Sequence, residues 1–170
     1  ITTDLLVENI HFRIATSSGY YLGRKIIAVN LSDIAAMGGH PEFCFMSIAI
    51  PKSFDSEYLN ELFKGMSEIC AEYDVVLAGG DTTGSPGPLM INITMTGISD
   101  PVSLKSRKGA KPGDIVQVSG NLGGSKAGFE LLESGKGDHQ EFKELIQAHL
   151  NPSPQVSIGI TLSELNGVSS

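Results

Sequence analysis

The sequence is poor in several residue types that mark whole classes of protein. It has no tryptophan and only two cysteines among 170 residues, and its 12 basic and 19 acidic residues give a formal net charge of −7. This negative charge argues against a dedicated nucleic-acid binder, which normally presents a basic face. Two cysteines in apolar surroundings form no disulfide framework, and they indicate a reducing, cytoplasmic compartment.

Long apolar runs and the common nucleotide-binding motifs are also missing. No run approaches the roughly 18–20 apolar residues that a membrane-spanning helix requires. The sequence has no G-x-x-x-x-G-K-[ST] motif, and Gly120, Gly123 and Gly124 have the wrong spacing for G-x-G-x-x-G. We therefore predict no membrane span and exclude a P-loop site.

The residues that are present have the composition of a globular protein, with 41% hydrophobic and 18% charged residues. Predicted strands and helices follow one another without a regular β-α repeat, so the pattern favours an α+β fold over a doubly wound sheet. A cluster of basic residues at 105–111 changes the composition and predicts a boundary near residues 100–108. We expect an N-terminal domain over residues 1–104, and we expect residues 105–170 to be the beginning of a second domain. With no initiator Met and a last helix close to its end, the chain is expected to be an interior piece of a longer protein, or a protein whose ends were cut or not seen.

Hydrophobic periodicity predicts the secondary structure of both parts. In the first part we expect strands over residues 1–10, 43–50, 75–78 and 89–96, and a helix over 22–37. A second helix, with Asp55 or Ser56 as its N-cap, is expected to run to Tyr73. A glycine turn is expected over residues 79–83, followed by a Gly/Pro-rich turn over residues 84–88. In the second part we expect a strand over 115–119 and helices over 125–133, 140–150 and 155–165.

Three acidic residues, Asp4, Asp33 and Asp81, lie beside predicted strand or helix ends and next to small or hydroxyl residues. Carboxylates that are gathered together repel one another unless a cation lies between them, and oxygen ligands of this kind suit Mg²⁺. The glycines around Gly80 would also let backbone N–H groups approach a phosphate. Spacing alone does not bring the three together, and for each of them a capping or turn role is the more common one.

Other candidate residues have equally ordinary alternatives. Arg107 could clamp a phosphate through its planar guanidinium, or it could be a solvated linker charge. His11 follows the first strand, and an isolated histidine is more often structural. Three residues are expected in the core, because they lie on apolar stretches: Cys44, Phe63 and Cys70.

Several sequence blocks together resemble the thiamine-monophosphate kinase family. Residues 2–8, with His11-Phe12 behind them, are similar to its T-T-D-x-L-V-E-x-x-H-F signature. Later blocks follow in the same order: L-G-R-K at 22–25, N-L-S-D-I-A-A-M-G at 30–38, G-G-D-T-T at 79–83, Arg107 with K-P-G-D at 111–114, and H-L-N-P-S-P at 149–154. The match covers nearly the whole chain. The wider superfamily, which includes aminoimidazole-ribonucleotide synthetase, uses ATP without a P-loop.

The resemblance implies a fold, a reaction and a set of site residues. The N-terminal mixed α/β domain would form a barrel across a homodimer, and a second α+β domain would follow it. ATP would phosphorylate thiamine phosphate to thiamine diphosphate by direct in-line transfer with Mg²⁺ and without a catalytic general base. The implied metal ligands are Thr2, Thr3, Asp4, Asp33 and Asp81; the implied ATP contacts are Gly80, Asp81, Arg107 and Phe63, the last where the family has a tyrosine; His11 would contact thiamine phosphate.

Two family blocks, a G-D-D before the T-T-D and an S-D-G after the last helix, are not in these residues. We therefore expect the chain to hold only part of the site and to be inactive alone. Two other functions stay open: another ATP-dependent synthetase of the same superfamily, and a non-catalytic nucleotide-binding or dimerisation module. The T-T-D-x-L-V-E-x-x-H-F block disfavours the first, and the three carboxylates disfavour the second.

Overall fold

The computed structural model describes residues 1–169 as one four-stranded sheet with five α-helices and a short 3₁₀ helix, which confirms the predicted mixed α+β class. The elements are β1 (Thr2–Val7), α1 (Gly19–Ala36), β2 (His40–Pro51), α2 (Ser56–Glu72), β3 (Val76–Ser85), β4 (Met90–Ile98), α3 (Gly124–Glu133), the 3₁₀ helix (Gln140–Phe142), α4 (Lys143–Leu150) and α5 (Val156–Ser163). Within residues 1–169, no helix has the length and apolar character needed to cross a bilayer.

The strands are ordered β1-β4-β2-β3 across the sheet. Strand β4 runs antiparallel to both β1 and β2, whereas β2 and β3 are parallel and are connected by α2. A parallel pair requires such a crossover, since a tight turn can join only antiparallel strands. The order leaves β1 and β3 as the two edges of the sheet.

The core lies between one face of the sheet and helices α1 and α2. The period-two pattern of β4 buries Ile91, Ile93 and Met95, as predicted. Cys44 on β2 and Cys70 on α2 are buried in the same core, and their Sγ atoms lie 3.9 Å apart as free thiols. The expectation that both cysteines are core residues is confirmed.

Helices α1 and α2 approach each other closely and are joined by an ion pair. A Cβ atom on Gly23 would lie 2.0 Å from the carbonyl oxygen of Leu62, so only glycine permits this approach. At the next residue of α1, the guanidinium of Arg24 donates two hydrogen bonds of 2.8 Å to the Glu72 carboxylate. Its Nε donates a third, also 2.8 Å, to Oδ1 of Asn151, which ties the C-terminal region to α1.

The predicted glycine turn over residues 79–83 is wrong, because β3 continues through it to Ser85. In the parallel register with β2, Gly80 lies opposite Met46 and Asp81 lies opposite Ser47. A Cβ atom on Gly80 would lie 1.7 Å from the carbonyl oxygen of Met46. The glycine is therefore required for close approach to the neighbouring strand, and not for a turn.

The predicted strand over residues 115–119 is also wrong. These residues pair with no strand in the described part of the chain, and Ile115 and Val116 are 84% and 92% exposed. A strand needs a neighbour for its backbone hydrogen bonds, so apolar residues alone do not form one.

Smaller differences concern element ends. Strand β1 stops at Val7, whose carbonyl oxygen accepts the N–H groups of Ile10 and His11 in a turn. Helix α1 begins at Gly19, three residues earlier than predicted, with Ser18 as its N-cap. Asp55 is the N-cap of α2, which confirms one of the two predicted N-cap residues, Asp55 and Ser56.

Candidate metal and nucleotide site

A pair of carboxylates lies where β1 meets the last turns of α1. Asp4 is on β1 and Asp33 is on α1, and the Thr2 hydroxyl donates a 2.5 Å hydrogen bond to Oδ2 of Asp33. Partial burial, followed by the charge of Asp33, raises the pKa of Asp4, and His11 opposes this in part. The two carboxylates therefore repel each other in the protein alone, and a cation between them would relieve the repulsion.

Thr3 takes part in a different network. Because successive strand residues point to opposite faces, Thr3 lies on the face of the sheet opposite to Thr2 and Asp4. Its hydroxyl oxygen accepts a 3.0 Å hydrogen bond from Nδ2 of Asn92 and lies 3.2 Å from the Thr94 hydroxyl. Both partners are on β4. Thr3 is thus held on the sheet surface and makes no hydrogen bond to the carboxylate pair.

Arg107 lines the same cleft as Asp33. The cleft has a volume of about 600 Å³ and is lined by Thr2, Thr3, Asp33, Arg107 and the ends of α1 and β4. Its size is in the range of small-molecule sites. The preceding linker is anchored nearby, since the backbone N–H of Lys105 donates to the carbonyl oxygen of Met37 at 3.4 Å. A carboxylate and a guanidinium on one cleft, with Asp4 beside the carboxylate, are suited to a cation and to phosphate oxygens respectively.

Gly80 and Asp81 lie at the other edge of the sheet. Strand β3 is three strand positions from β1, which is roughly 14 Å at the usual inter-strand spacing. The Asp81 carboxylate accepts a 2.9 Å hydrogen bond from the N–H of Thr82. Within residues 1–169, no group of three or more His, Cys, Asp or Glu side chains is placed to hold a metal ion. One chain therefore brings Asp4 and Asp33 together but leaves Asp81 apart.

Phe63 lies on α2 and does not line the cleft. Its side chain is 39% exposed, so the expectation that it is a core residue is wrong. Leu62 and Met66 are the residues that point inward, and Phe63 lies about 100° around the helix from Leu62. Its implied contact with ATP stays a prediction.

His11 is oriented by the backbone of the strand before it. The Val7 N–H donates a 3.0 Å hydrogen bond to Nδ1 of His11. In the neutral ring, Nε2 therefore carries the proton and can donate to a ligand. His11 lines a second, smaller cavity together with Lys25 and His149, to which sequence reasoning gave no role. No sequence pattern signals that contact, because the residues are far apart in the chain.

Residues 1–99 match the family model described as AIR synthase related protein, N-terminal domain. The chain is 37% identical over 162 residues to the thiamine-monophosphate kinase of Bacillus subtilis, covering 94% of this chain and 50% of the relative. It is 36% identical over 167 residues to the thiamine-monophosphate kinase of Escherichia coli, covering 97% and 50%. The chain thus spans about half the length of the curated relatives it matches.

Solved structures agree with these matches. The thiamine monophosphate kinase of Aquifex aeolicus superposes with a TM-score of 0.90 at 32% identity, over 98% of this chain and 56% of that one. AaThiL complexed with AMPPCP and TMP gives 0.89 at 32% identity, over 96% and 52%. Escherichia coli HypE, a hydrogenase maturation protein, gives 0.73 at 20% identity, over 97% and 49%, which shows a shared fold alone. The chain therefore belongs to the AIR synthase related family, and the expected resemblance to the thiamine-monophosphate kinases is confirmed.

Proposed function

We propose that the protein carrying this chain transfers the γ-phosphoryl group of ATP to thiamine phosphate, which gives ADP and thiamine diphosphate. The observation that carries the proposal is the Asp4–Asp33 carboxylate pair, of which Asp33 lines one cleft with Arg107. The names of the relatives support it, and so does the similar structure complexed with AMPPCP and TMP.

Mg²⁺ is the proposed cofactor, with Asp4, Asp33 and Thr2 as the residues that hold it. These side chains offer the oxygen ligands that Mg²⁺ prefers. Partial burial and the neighbouring charge of Asp33 raise the pKa of Asp4, and within residues 1–169 neither carboxylate forms a salt bridge with a lysine or arginine. Bound Mg²⁺ supplies charge neutralisation and positioning of the phosphoryl groups.

The chain's own residues have binding roles in this reaction. The acceptor is a phosphate monoester whose oxygen is already anionic, so no general base is required. The Arg107 guanidinium binds phosphate oxygens of ATP, where its planar shape allows two parallel hydrogen bonds. The Nε2–H of His11 donates to the thiamine ester. Gly80, Asp81 and Phe63 are the further proposed ATP contacts, and Thr3 and Asp81 are the further proposed metal ligands.

A homodimer with a barrel between its subunits is part of the proposal. The face of the sheet that the helices leave open carries three exposed apolar side chains, Leu5, Phe43 and Phe45. A second copy packed on this face would remove that apolar surface from water. Asp81 pairs in register with Ser47 at the β3 edge, and the β3 edge of the second copy is our proposed source of the third carboxylate.

Two further points belong to this proposal. We place the domain boundary near residues 100–108, which is supported by the end of the sheet at Ile98 and by a family match that stops at residue 99. We place the protein in the cytoplasm, which is supported by its two free thiols.

Phosphorus NMR of the full-length protein with ATP, Mg²⁺ and thiamine phosphate tests the reaction. We expect thiamine diphosphate signals to appear together with ADP, and to disappear when EDTA removes Mg²⁺. ATP split to ADP and free phosphate without thiamine diphosphate would refute the kinase and favour a synthetase of the same superfamily. Nucleotide binding without any ATP consumption would favour the non-catalytic module.

Sedimentation of the same protein tests the dimer. We expect about twice the monomer mass, and we expect Phe45→Asp to shift the protein toward monomer because it places a charge on the open face of the sheet. Leu122→Asp is the matched control, since Leu122 is 82% exposed and lies outside the sheet. A monomeric wild type, or an equal effect of both variants, would contradict the proposed interface.

A further inference from the structure

A small cavity lies between the loop after β1, helix α1 and the C-terminal helices. Its volume is about 70 Å³, and His11, Lys25, Phe129 and His149 are among its lining residues. It is separate from the cleft that Asp33 and Arg107 line, because the two share no lining residue. Lys25 precedes Asp33 on α1, and the two are about 12 Å apart along the helix axis at 1.5 Å per residue.

Lys25 is half-buried in this cavity without a counter-charge. In the described part of the chain, its one hydrogen-bond partner is Nε2 of His149, 3.4 Å from Nζ, and no carboxylate lies within salt-bridge distance of the ammonium. Burial lowers the pKa of the Lys25 ammonium. An ammonium group taken from water without a partner is costly, and a bound anion would offset that cost.

His149 orients the lysine. Its Nδ1 lies 3.3 Å from the Ser125 hydroxyl while its Nε2 lies 3.4 Å from Lys25. Because an ammonium only donates, Nε2 accepts from Lys25, and the Nδ1–H of the neutral ring donates to Ser125. Burial and the charge of Lys25 lower the pKa of His149, which favours this neutral form. The remaining N–H groups of Lys25 are then free to face the cavity.

The other charged and polar groups leave a surplus of donors. Arg13 lines the cavity but is paired with Glu133 of α3. Nδ1 of His11 is occupied by the Val7 N–H, so its Nε2–H is an additional donor. The volume fits a phosphate-sized ion or a few water molecules and is far below that of a nucleotide site. The cavity therefore combines a positive charge, several donors and room for one small anion.

We propose that this cavity binds a single phosphate-sized oxyanion through Lys25 and His11, with His149 as a positioning residue. The oxyanion could come from the phosphate of the thiamine ester or from free inorganic phosphate. The first source rests on the proposed function, whereas the second is independent of it. In both cases Lys25 is the residue whose charge holds the anion.

Titration of the full-length protein with inorganic phosphate tests the site by calorimetry and by NMR of the histidine ring protons. We expect phosphate to bind and to raise the pKa of His149, because the anion offsets the charge of Lys25. Lys25→Gln should weaken binding by roughly tenfold or more, since it removes a charged hydrogen-bond donor. Lys25→Arg should retain part of the binding. Lys52→Gln, on an exposed loop, is the matched control and should leave binding unchanged.

The outcomes separate the proposal from its alternatives. An unshifted His149 resonance in the wild type at millimolar phosphate would overturn it, even if Lys25→Gln does not fold. Equal phosphate affinity of Lys25→Gln and Lys52→Gln would also overturn it. Competition between phosphate and thiamine phosphate, but not thiamine, would identify the ester as the source; binding of both together would identify the free ion. Kinase turnover is measured separately, so a failure of the reaction would not change the reading of the phosphate titration.

Discussion

Replacing Asp33 by asparagine should separate the stability of the candidate site from its ability to bind metal. In Asp33→Asn the Thr2 hydroxyl keeps an oxygen acceptor, but the negative charge beside Asp4 disappears. After burial, that charge is the next cause of the raised pKa of Asp4. The pKa of Asp4 should therefore fall, and the metal-free variant should be more stable than the wild type at pH 7.

The size of this gain follows from the exposure of the pair. Two like charges 4 Å apart cost about 1 kcal/mol in water and about 4 kcal/mol near a protein surface. Because Asp33 is exposed and Asp4 only half-buried, solvent screening places the repulsion near the lower value, at about 0.5–1 kcal/mol. For a chain of this length, that corresponds to a rise in Tm of about 1–4 °C.

The pH dependence has a definite sign. A carboxyl whose pKa is raised on folding favours the folded state below its unfolded pKa of about 3.9, and that contribution is lost as pH rises through the folded value. The advantage of Asp33→Asn should therefore be present at pH 7 and vanish in acid, where Asp4 is protonated in both proteins.

Magnesium should reverse the order of stability. At a concentration ten times its dissociation constant, a ligand of the folded state stabilises it by about 1.4 kcal/mol. The wild type should gain this and Asp33→Asn should not, so their melting temperatures should cross between EDTA and excess Mg²⁺. Thermal melts in both conditions are the assay, with Asp138→Asn at an exposed site as the control. A variant that is less stable in EDTA, or that gains as much from Mg²⁺ as the wild type, would refute the reasoning.

Two further predictions concern the contact between α1 and α2. Gly23→Ala would place a Cβ 2.0 Å from the Leu62 carbonyl oxygen, so the helices must separate by about 1 Å. This should cost about 1–3 kcal/mol of unfolding free energy and lower Tm by about 2–12 °C. Gly120→Ala, whose Cβ meets no neighbour, is the control, and equal melting temperatures of the two variants would contradict the packing. Glu72→Gln removes the carboxylate paired with Arg24 and should cost about 1–2 kcal/mol at pH 7 after discounting for the exposure of Glu72. Because Arg24 lowers the pKa of Glu72, this loss of stability should be present above the unfolded pKa of about 4.3 and shrink as pH falls through the folded value. Urea titrations at pH 7 and pH 3 measure it, and the same difference in stability between wild type and variant at both pH values would exclude the ion pair.

Local patterns were enough to predict most elements of the first hundred residues. Helix α2 was recognised because its apolar residues recur at helical spacing after the N-cap Asp55, and β4 because its side chains alternate. The local pattern predicts too short a β3, because a glycine such as Gly80 is a common turn signal. In the structure this glycine instead allows close approach to the carbonyl oxygen of Met46 on the neighbouring strand. Long-range packing of this kind leaves no local signature.

In the candidate site, too, local patterns indicate individual residues but not which of them come together. The resemblance implied Asp4, Asp33 and Asp81 as one set, and nothing in their spacing could reveal that β1 and β3 are opposite edges of the sheet. The contact between Lys25 and His149 escaped notice for a similar reason, since it joins α1 to α4 across most of the chain. Strand order and helix docking are decided by the whole fold, and local residue patterns do not encode them.

The two buried thiols allow the local opening of this protein to be measured. Because Cys44 is on β2 and Cys70 is on α2, an alkylating reagent reaches them only when the helix lifts from the sheet. The rate of labelling therefore measures the opening of α2, which packs against α1, the helix that contributes Asp33 to the cleft and Lys25 to the small cavity. Mass spectrometry of the labelled protein, with and without ligands, would show which of them holds that layer closed, without adding a probe to the molecule.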